Sequence, residues 1–569
     1  MTLRLASLAQ GRPLRLALTV WLVSMVLVSA QEPRPSTALK TSGKVSGTKA
    51  VTPGPQHMSL FSHSENCMAC HNNLITPAGE DVSIGATWRS TMMANSARDP
   101  YWQAGVRRET IDHPTHTAAI QDECGGCHMP MSTRIAREAG GTGEVFSLLP
   151  SASAGHTELR RLAADGVSCS VCHQISNEHL GTRESFNGEF VIAPTPATGV
   201  RPIFGPYRVD DGRRTIMRSV SGFAQEEAPH IKQSELCATC HTLITTAFAA
   251  NGEVVGSLPE QMNYQEWLHS EFPREQRSCQ SCHMPAAAGP VRAASVLGDA
   301  RETLARHVFV GGNAYMVRLL NRYRHELGVL ALPSELEATA TATIRQLQRD
   351  TATLTVSNLA RTEGTLGFDV QVENLTGHKL PTGYPSRRLW LHVTVKNDRG
   401  ETVFESGAFS GTGSISGNDN DAGAQRFEPH YEQITAPDQV QIYESILGDV
   451  NGNVTTGLLS ATQYLKDNRL LPRGFDKATA SAEIAVHGGA GCDEDFAGGG
   501  DQVRYRIPVA ANGPLTVHVE LRYQTIAYRW AQNLAAYNAP EPKRFVSYYS
   551  ATAEGSSVVI SDHELRTKN

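Results

Sequence analysis

The sequence predicts an α+β multidomain chain. An irregular, mostly helical segment over residues 57–330 is followed by a connecting helix over 331–350 and an all-β, immunoglobulin-like sandwich over 351–569. Three observations predict this. Five Cys-x-x-Cys-His strings lie between residues 67 and 283 and nowhere else. From about residue 352 apolar residues recur with period two. The chain has 569 residues, enough for several domains, and its 49 Gly and 29 Pro make it rich in loops. An apolar fraction of 40% and a charged fraction of 19% exclude a disordered tail protein, a collagen and a coiled coil. Only one stretch is apolar enough to consider as a membrane span, which excludes a polytopic membrane protein.

That stretch opens the chain. Arg4, Arg12 and Arg15 make a basic start, Leu16 to Val28 an apolar run, and Val28-Ser29-Ala30 a small-residue cleavage site before Gln31. This is the pattern of a secretory signal over residues 1–30, and export to the periplasm, cell surface or medium is expected. An uncleaved anchor is the rival, but Gln31-Glu32-Pro33 breaks the run at once. Without its three arginines the chain keeps 48 basic residues against 57 acidic, a net charge of −9. No basic face invites nucleic acid. Residues 31–56, rich in Pro, Ser, Thr and Lys, read as a flexible linker.

Ten of the 11 cysteines fall into the five strings: Cys67/Cys70/His71, Cys124/Cys127/His128, Cys169/Cys172/His173, Cys237/Cys240/His241 and Cys279/Cys282/His283. Composition alone predicts about 0.008 copies of such a string. The chemistry explains the spacing. Two thiols three positions apart add to the two vinyl groups of a haem, and the next His binds the iron as proximal ligand. Disulfides or structural zinc leave the His after every second cysteine unexplained. Five covalent haem c groups are therefore expected, with Cys492 left as a lone thiol.

On these strings the chain resembles multihaem c-type cytochromes. Over about 60–310 it is similar to the cytochrome c-554 type of haem domain, in motif spacing and in its Cys-His-Met-Pro strings at Cys127 and Cys282. The resemblance implies electron transfer along closely packed haems. The segment also carries a weak duplication: Cys70-His71 to Trp88 to Cys127-His128-Met129-Pro130 is echoed by Cys240-His241 to Trp267 to Cys282-His283-Met284-Pro285. Intervals of 57, 45, 68 and 42 residues between proximal histidines are too short for independent cores. The haems must then supply much of the interior.

Completing the irons needs distal ligands. Nine other histidines lie in the segment: His57, His63, His113, His116, His156, His179, His230, His269 and His307. Of these His307, His269 and His230 rank first, then His116 and His156. His63 is equally a solvated loop residue, and Met92 and Met93 read as core filler. Nine candidates for five irons do not say whether any iron is open.

In the carboxyl half, Ala314 to Leu327 and Ser334 to Arg349 have helical spacing, with Ser334 a candidate cap. Leu366 to Val372, Leu389 to Val395 and Leu515 to Leu521 alternate as strands, Asn397 to Gly400 makes a hairpin turn, and a helical insertion is expected over 458–469. The string Gly377-His378-Lys-Leu-Pro-Thr-Gly383-Tyr384 resembles a segment opening β-domains attached to some multihaem cytochromes. That resemblance implies a distal role for His378, whereas the residues alone are equally read as a rigid loop whose imidazole hydrogen-bonds. Arg387 and Arg388 could pair with haem propionates. Gly417-Asn-Asp419-Asn-Asp421 lacks the EF-hand's Gly and terminal Glu at their spacings and reads as an Asx-rich turn, with calcium near Asp419 and Asp421 as the alternative.

These observations predict an exported pentahaem cytochrome that relays single electrons between redox partner proteins, an electron carrier ahead of a catalyst. Two alternatives stay open: an oxidoreductase of a small nitrogen or sulfur compound at one open haem, and a subunit of an extracellular conductive filament. No stable membrane span is expected once the signal is cleaved.

Overall fold

A computed structural model describes residues 60–150, 157–510 and 513–567, all within the compact unit Met58–Asn569. The expected signal segment and linker, His57 and His156 lie outside the described residues.

The amino-terminal part of this unit is built from short helices joined by turns. Each Cys-x-x-Cys-His string lies on or against one of them: Ser64–Met68, Thr117–His128, Cys169–Cys172, Ser234–His241 and Cys279–His283. One helical turn brings positions i and i+3 onto a common face, so the two thiols of a string point the same way. The helix Pro100–Asp112 is fixed at its start by Asp99, whose carboxylate accepts from the Tyr101 and Trp102 amides at 2.8 and 3.2 Å, with Pro100 in the first helical position. A hairpin, Thr242–Phe248 with Val254–Met262, runs directly on from His241. Apolar clusters here are small, as around Leu60, Phe61, Met131 and Leu162, or around Leu74, Val82 and Val291.

The carboxyl half holds two sheets. In the larger, Val454–Thr455, Ile442–Asp449, Arg388–Lys396, Thr516–Gln524 and Ser557–Arg566 lie in that order, with Thr402–Ser406 on Arg388–Lys396 and Ala461–Asp467 on Ile442–Asp449. The smaller runs Gln433–Ile434, Gly500–Pro508, Thr365–Asn374, Ala352–Thr362. Leu366, Phe368, Val370 and Val372 from the small sheet share one buried cluster with Leu389, Leu391, Val393, Val517 and Val519 from the large one. Alternate residues of each strand thus fill a common core, as period two requires. The Asn397–Gly400 turn is present, with Gly400 at φ +79°.

Three expectations are corrected. Residues 461–467 form a strand rather than a helix, because their backbone pairs antiparallel with Ile442–Asp449. The helix Pro333–Asp350 is capped by Glu335, which accepts the Leu332 amide at 2.9 Å, and not by Ser334. Within 351–569 there are also helices, Tyr528–Asn533 and Pro540–Ser550. They pack on Pro100–Asp112, where Phe545, Trp530 and Leu534 share a buried cluster with Ala104 and Leu258.

The two halves are closely joined. Arg107 holds Glu541 through two contacts of 2.8 and 3.0 Å, and Glu109 accepts the Leu458 amide at 2.9 Å. No helix among the described residues is long and apolar enough to cross a membrane.

Candidate functional site

The five strings converge. The Cys67 thiol meets Cys169, Cys127 meets Cys240, and Cys237 meets Cys279. Cys172 lies within electrostatic reach of both Cys240 and Cys237. The imidazoles follow the same pattern: His71 influences His173, His241 influences His128, and His283 influences His241. The ten thiols are all half-buried, whereas Cys492 is exposed.

Two pairs of imidazoles face each other. His173 and His307 have ring centres 6.4 Å apart and planes inclined by 20°. His283 and His378 have centres 6.2 Å apart and planes inclined by 15°. Rings in van der Waals contact lie closer than this. Two metal–imidazole bonds of about 2.0–2.1 Å, plus about 1.1 Å from each ring centre to its nitrogen, give a centre-to-centre distance of about 6.3 Å. Both pairs therefore fit one metal ion held between two imidazoles.

The outer hydrogen bonds support the same orientation. His71 Nδ1 lies 2.8 Å from the Ala293 carbonyl, His173 Nδ1 2.6 Å from Phe204, His307 Nδ1 3.1 Å from Ala305 and His378 Nδ1 2.9 Å from Lys379. His283 Nδ1 bonds the Val310 carbonyl. A ring that donates from Nδ1 to a backbone carbonyl leaves Nε2 unprotonated and directed outward, the arrangement usual for metal-bound histidine. Protein packed around His307 and His378 pushes their imidazoles down, to about 3 and about 4, because burial penalises the charged ring. His128, to about 4 for the same reason, also stacks on Trp102 at 4.4 Å with 4° between planes.

The other ranked histidines are placed differently. His269 Nε2 lies 3.0 Å from the Asp476 carbonyl and its ring meets Phe475 edge-on. His230 Nε2 lies 2.8 Å from the Ile175 carbonyl, and His116 Nε2 2.8 Å from Gly252, with its ring on Phe248. Each uses for a backbone carbonyl the nitrogen that His173, His283, His307 and His378 keep free. His63 bonds Glu158 at 2.8 Å, and Met92 packs against a buried cluster.

Arg388 does not serve as a free cation for propionates. It is 1% exposed and grips Asp421 through two contacts of 2.9 Å, with Gln524 and the Gly413 carbonyl as further acceptors. Nothing supports the calcium alternative: both Asp421 oxygens accept from Arg388, Asp419 pairs with Arg426 at 2.7 Å, and Asn418 Oδ1 accepts the Asn420 amide at 3.0 Å. Arg387 remains near His241 and His378.

Two features had no signal in the sequence. Three carboxylates, Glu109, Glu123 and Glu260, lie within electrostatic reach of Cys124, and burial pushes Glu260 up to about 8. A buried ion network formed by Glu266, Lys379, Asp467 and Arg469 lies behind His378.

No family model matches the chain, and no curated protein matches it. A solved structure, a penta-heme cytochrome c552 from Thermochromatium tepidum, is similar at 16% identity with a TM-score of 0.48, over 89% of this chain and 99% of that one. A likeness at that level leaves the chemistry to be argued from the residues themselves.

Proposed function

We propose that the chain is an exported pentahaem c-type cytochrome that relays single electrons between redox partner proteins. One observation carries the reading: two of the five motif histidines, His173 and His283, each face a second imidazole at the spacing of bis-imidazole iron. The five strings supply ten thiols for thioether attachment and His71, His128, His173, His241 and His283 as proximal ligands. Haem c, when bound, supplies the reversible one-electron couple. The protein's own residues hold the imidazoles, exclude water and set the spacing.

The contacts among strings give a route. The first meets the third, the third approaches the fourth, and the fourth meets both the second and the fifth. The fourth haem is then the junction. In this reading residues 57–330 carry the haems, and the sandwich of 351–569, immunoglobulin-like in its two-sheet layering, supplies His378 as a distal ligand.

Covalent haem staining of the exported protein, with quantitation by pyridine haemochrome, tests the assignment. Five haems per chain are expected, and a chain without covalent haem overturns it. Paramagnetic resonance should then show low-spin bis-imidazole signals.

A second reading rests on Glu109, Glu123 and Glu260 around Cys124. Carboxyl groups at a haem edge could supply protons to a small nitrogen or sulfur compound reduced at an open second haem. A high-spin iron that binds carbon monoxide would support it, and a wholly low-spin, ligand-unresponsive spectrum would count against it.

A further inference from the structure

We propose that Glu266, Lys379, Asp467 and Arg469 form a positioning network that holds His378 on the fifth haem and sets that haem's potential. The inference rests on the axial role proposed for His378.

The four side chains close a ring. Lys379 Nζ donates to Asp467 at 2.7 Å, and Arg469 donates to both oxygens of Asp467 at 2.8 Å. Arg469 Nη1 lies 3.0 Å from Glu266 Oε1. Glu266 Oε2 accepts the Lys379 backbone amide at 3.1 Å and the Thr382 hydroxyl at 2.5 Å, which returns the ring to its start. Two cations and two carboxylates make the ring neutral. All four residues are buried, Glu266 and Lys379 at 0% exposure. Charges are held this far from water only where each is paired.

The connection to the imidazole runs through the backbone of one residue, Lys379. Glu266 fixes the Lys379 N–H, and the Lys379 carbonyl accepts from His378 Nδ1 at 2.9 Å. In the same peptide unit as that N–H, the His378 carbonyl accepts from Asn374 Nδ2 at 2.8 Å and the Thr376 hydroxyl at 2.9 Å. The peptide unit that follows His378 is therefore held at both its oxygen and its hydrogen. Glu266 belongs to the helix Asn263–Leu268 of the haem-bearing part, while the other three residues belong to the β half. The network thus sets where the loop stands relative to His283, and its charge balance is felt by an iron beside it.

Two variants separate positioning from simple support. Glu266→Gln keeps an acceptor for the Lys379 N–H but leaves two cations facing Asp467 alone. Its expected result is five haems, all low-spin, with one midpoint potential raised and four unchanged. Glu266→Ala removes the acceptor, and one iron is expected to become high-spin and bind carbon monoxide, with added imidazole restoring the low-spin signal. If Glu266→Ala does not fold, the single midpoint shift in Glu266→Gln decides. Wild-type midpoints in the folded Glu266→Gln protein would overturn the proposal. His378→Ala serves as the independent control: if it leaves every haem low-spin, the axial assignment itself fails, whereas a new high-spin iron there with no change in either Glu266 variant defeats the network alone.

Discussion

His283 and His378 stand with their ring centres 6.2 Å apart and their planes within 15°, although one ends a Cys-x-x-Cys-His string and the other lies in the β half, in the loop between Thr365–Asn374 and Arg388–Lys396. Their Nδ1 atoms are turned to the Val310 and Lys379 carbonyls, so neither Nε2 is needed for the local fold. Two near-parallel rings, each held at Nδ1 by its own backbone carbonyl, stand at a spacing that fits a metal ion between them.

The first prediction separates ligands from bystanders. His307→Ala and His378→Ala should each convert one low-spin haem of five to a high-spin, carbon monoxide-binding form, read by optical and paramagnetic spectra. His269→Ala, His230→Ala and His116→Ala should leave those spectra unchanged, since each Nε2 is committed to a carbonyl. A high-spin signal from His269→Ala would make that residue a ligand and its bond to Asp476 incidental.

The contrast among these histidines shows what the sequence carries and what it does not. The five strings are local, and their thiol spacing can be read without knowledge of the fold. Period two is equally local, and the strands at Leu366, Leu389 and Leu515 lie inside Thr365–Asn374, Arg388–Lys396 and the run ending at Gln524. A distal ligand is not local. His269 and His307 look alike as residues, and only the distant Asp476 carbonyl beside one and His173 opposite the other distinguish them. The same holds for Asp421, whose calcium-like string is decided by Arg388, and for Ala461–Asp467, whose strand state comes from pairing with Ile442–Asp449.

The second prediction concerns Gly377. A β-carbon there would meet the Phe272 ring at 3.0 Å and Trp267 at 3.2 Å, both in the amino-terminal part. Gly377→Ala needs the rings or the loop to give by a few tenths of an ångström; where the rings hold, the loop moves away from them at about 1–3 kcal/mol for overpacking. Because His378 follows directly, the loss of stability should be accompanied by a high-spin signal from one haem. Denaturant midpoints and the spectrum recorded on the same sample check both parts. Lost stability with five intact low-spin haems would show that the loop's close approach does not govern ligation.

The third prediction isolates the β half. Arg388 and Asp421 are buried and bidentately paired. Asp421→Asn leaves the guanidinium without its counter-charge, at about 3–5 kcal/mol. Haem spectra should be unchanged in whatever protein folds. Chelation of calcium should leave the wild-type denaturation midpoint where it is, because the carboxylate oxygens are already occupied by Arg388.

The fourth prediction is a pH dependence carried by Asp501. Its Oδ2 accepts from Tyr443 at 2.7 Å and Gln441 at 3.2 Å, while Oδ1 is buried without a partner. Burial, with Asp493 and Asp495 nearby, pushes its carboxyl up to about 7 from the ordinary aspartate value of 3.8. A group whose folded value is raised contributes stability that is complete below its unfolded value and is lost as pH rises through the folded one. Its contribution should therefore decline between about pH 4 and pH 7, by at most about 4 kcal/mol at 1.36 kcal/mol per unit. His430, with its ring nitrogen 4.0 Å from Asp501 and 3.0 Å from Asp493, faces the same group, and burial pushes its imidazole down. Asp501→Asn keeps the size of the side chain and removes the titration. Denaturant unfolding of the holoprotein at pH 5 and pH 8 should show wild type losing more stability than the variant between the two. Equal losses would mean that Asp501 ionises in the folded chain as it does in the unfolded one, with the His430 cluster stabilising its charge.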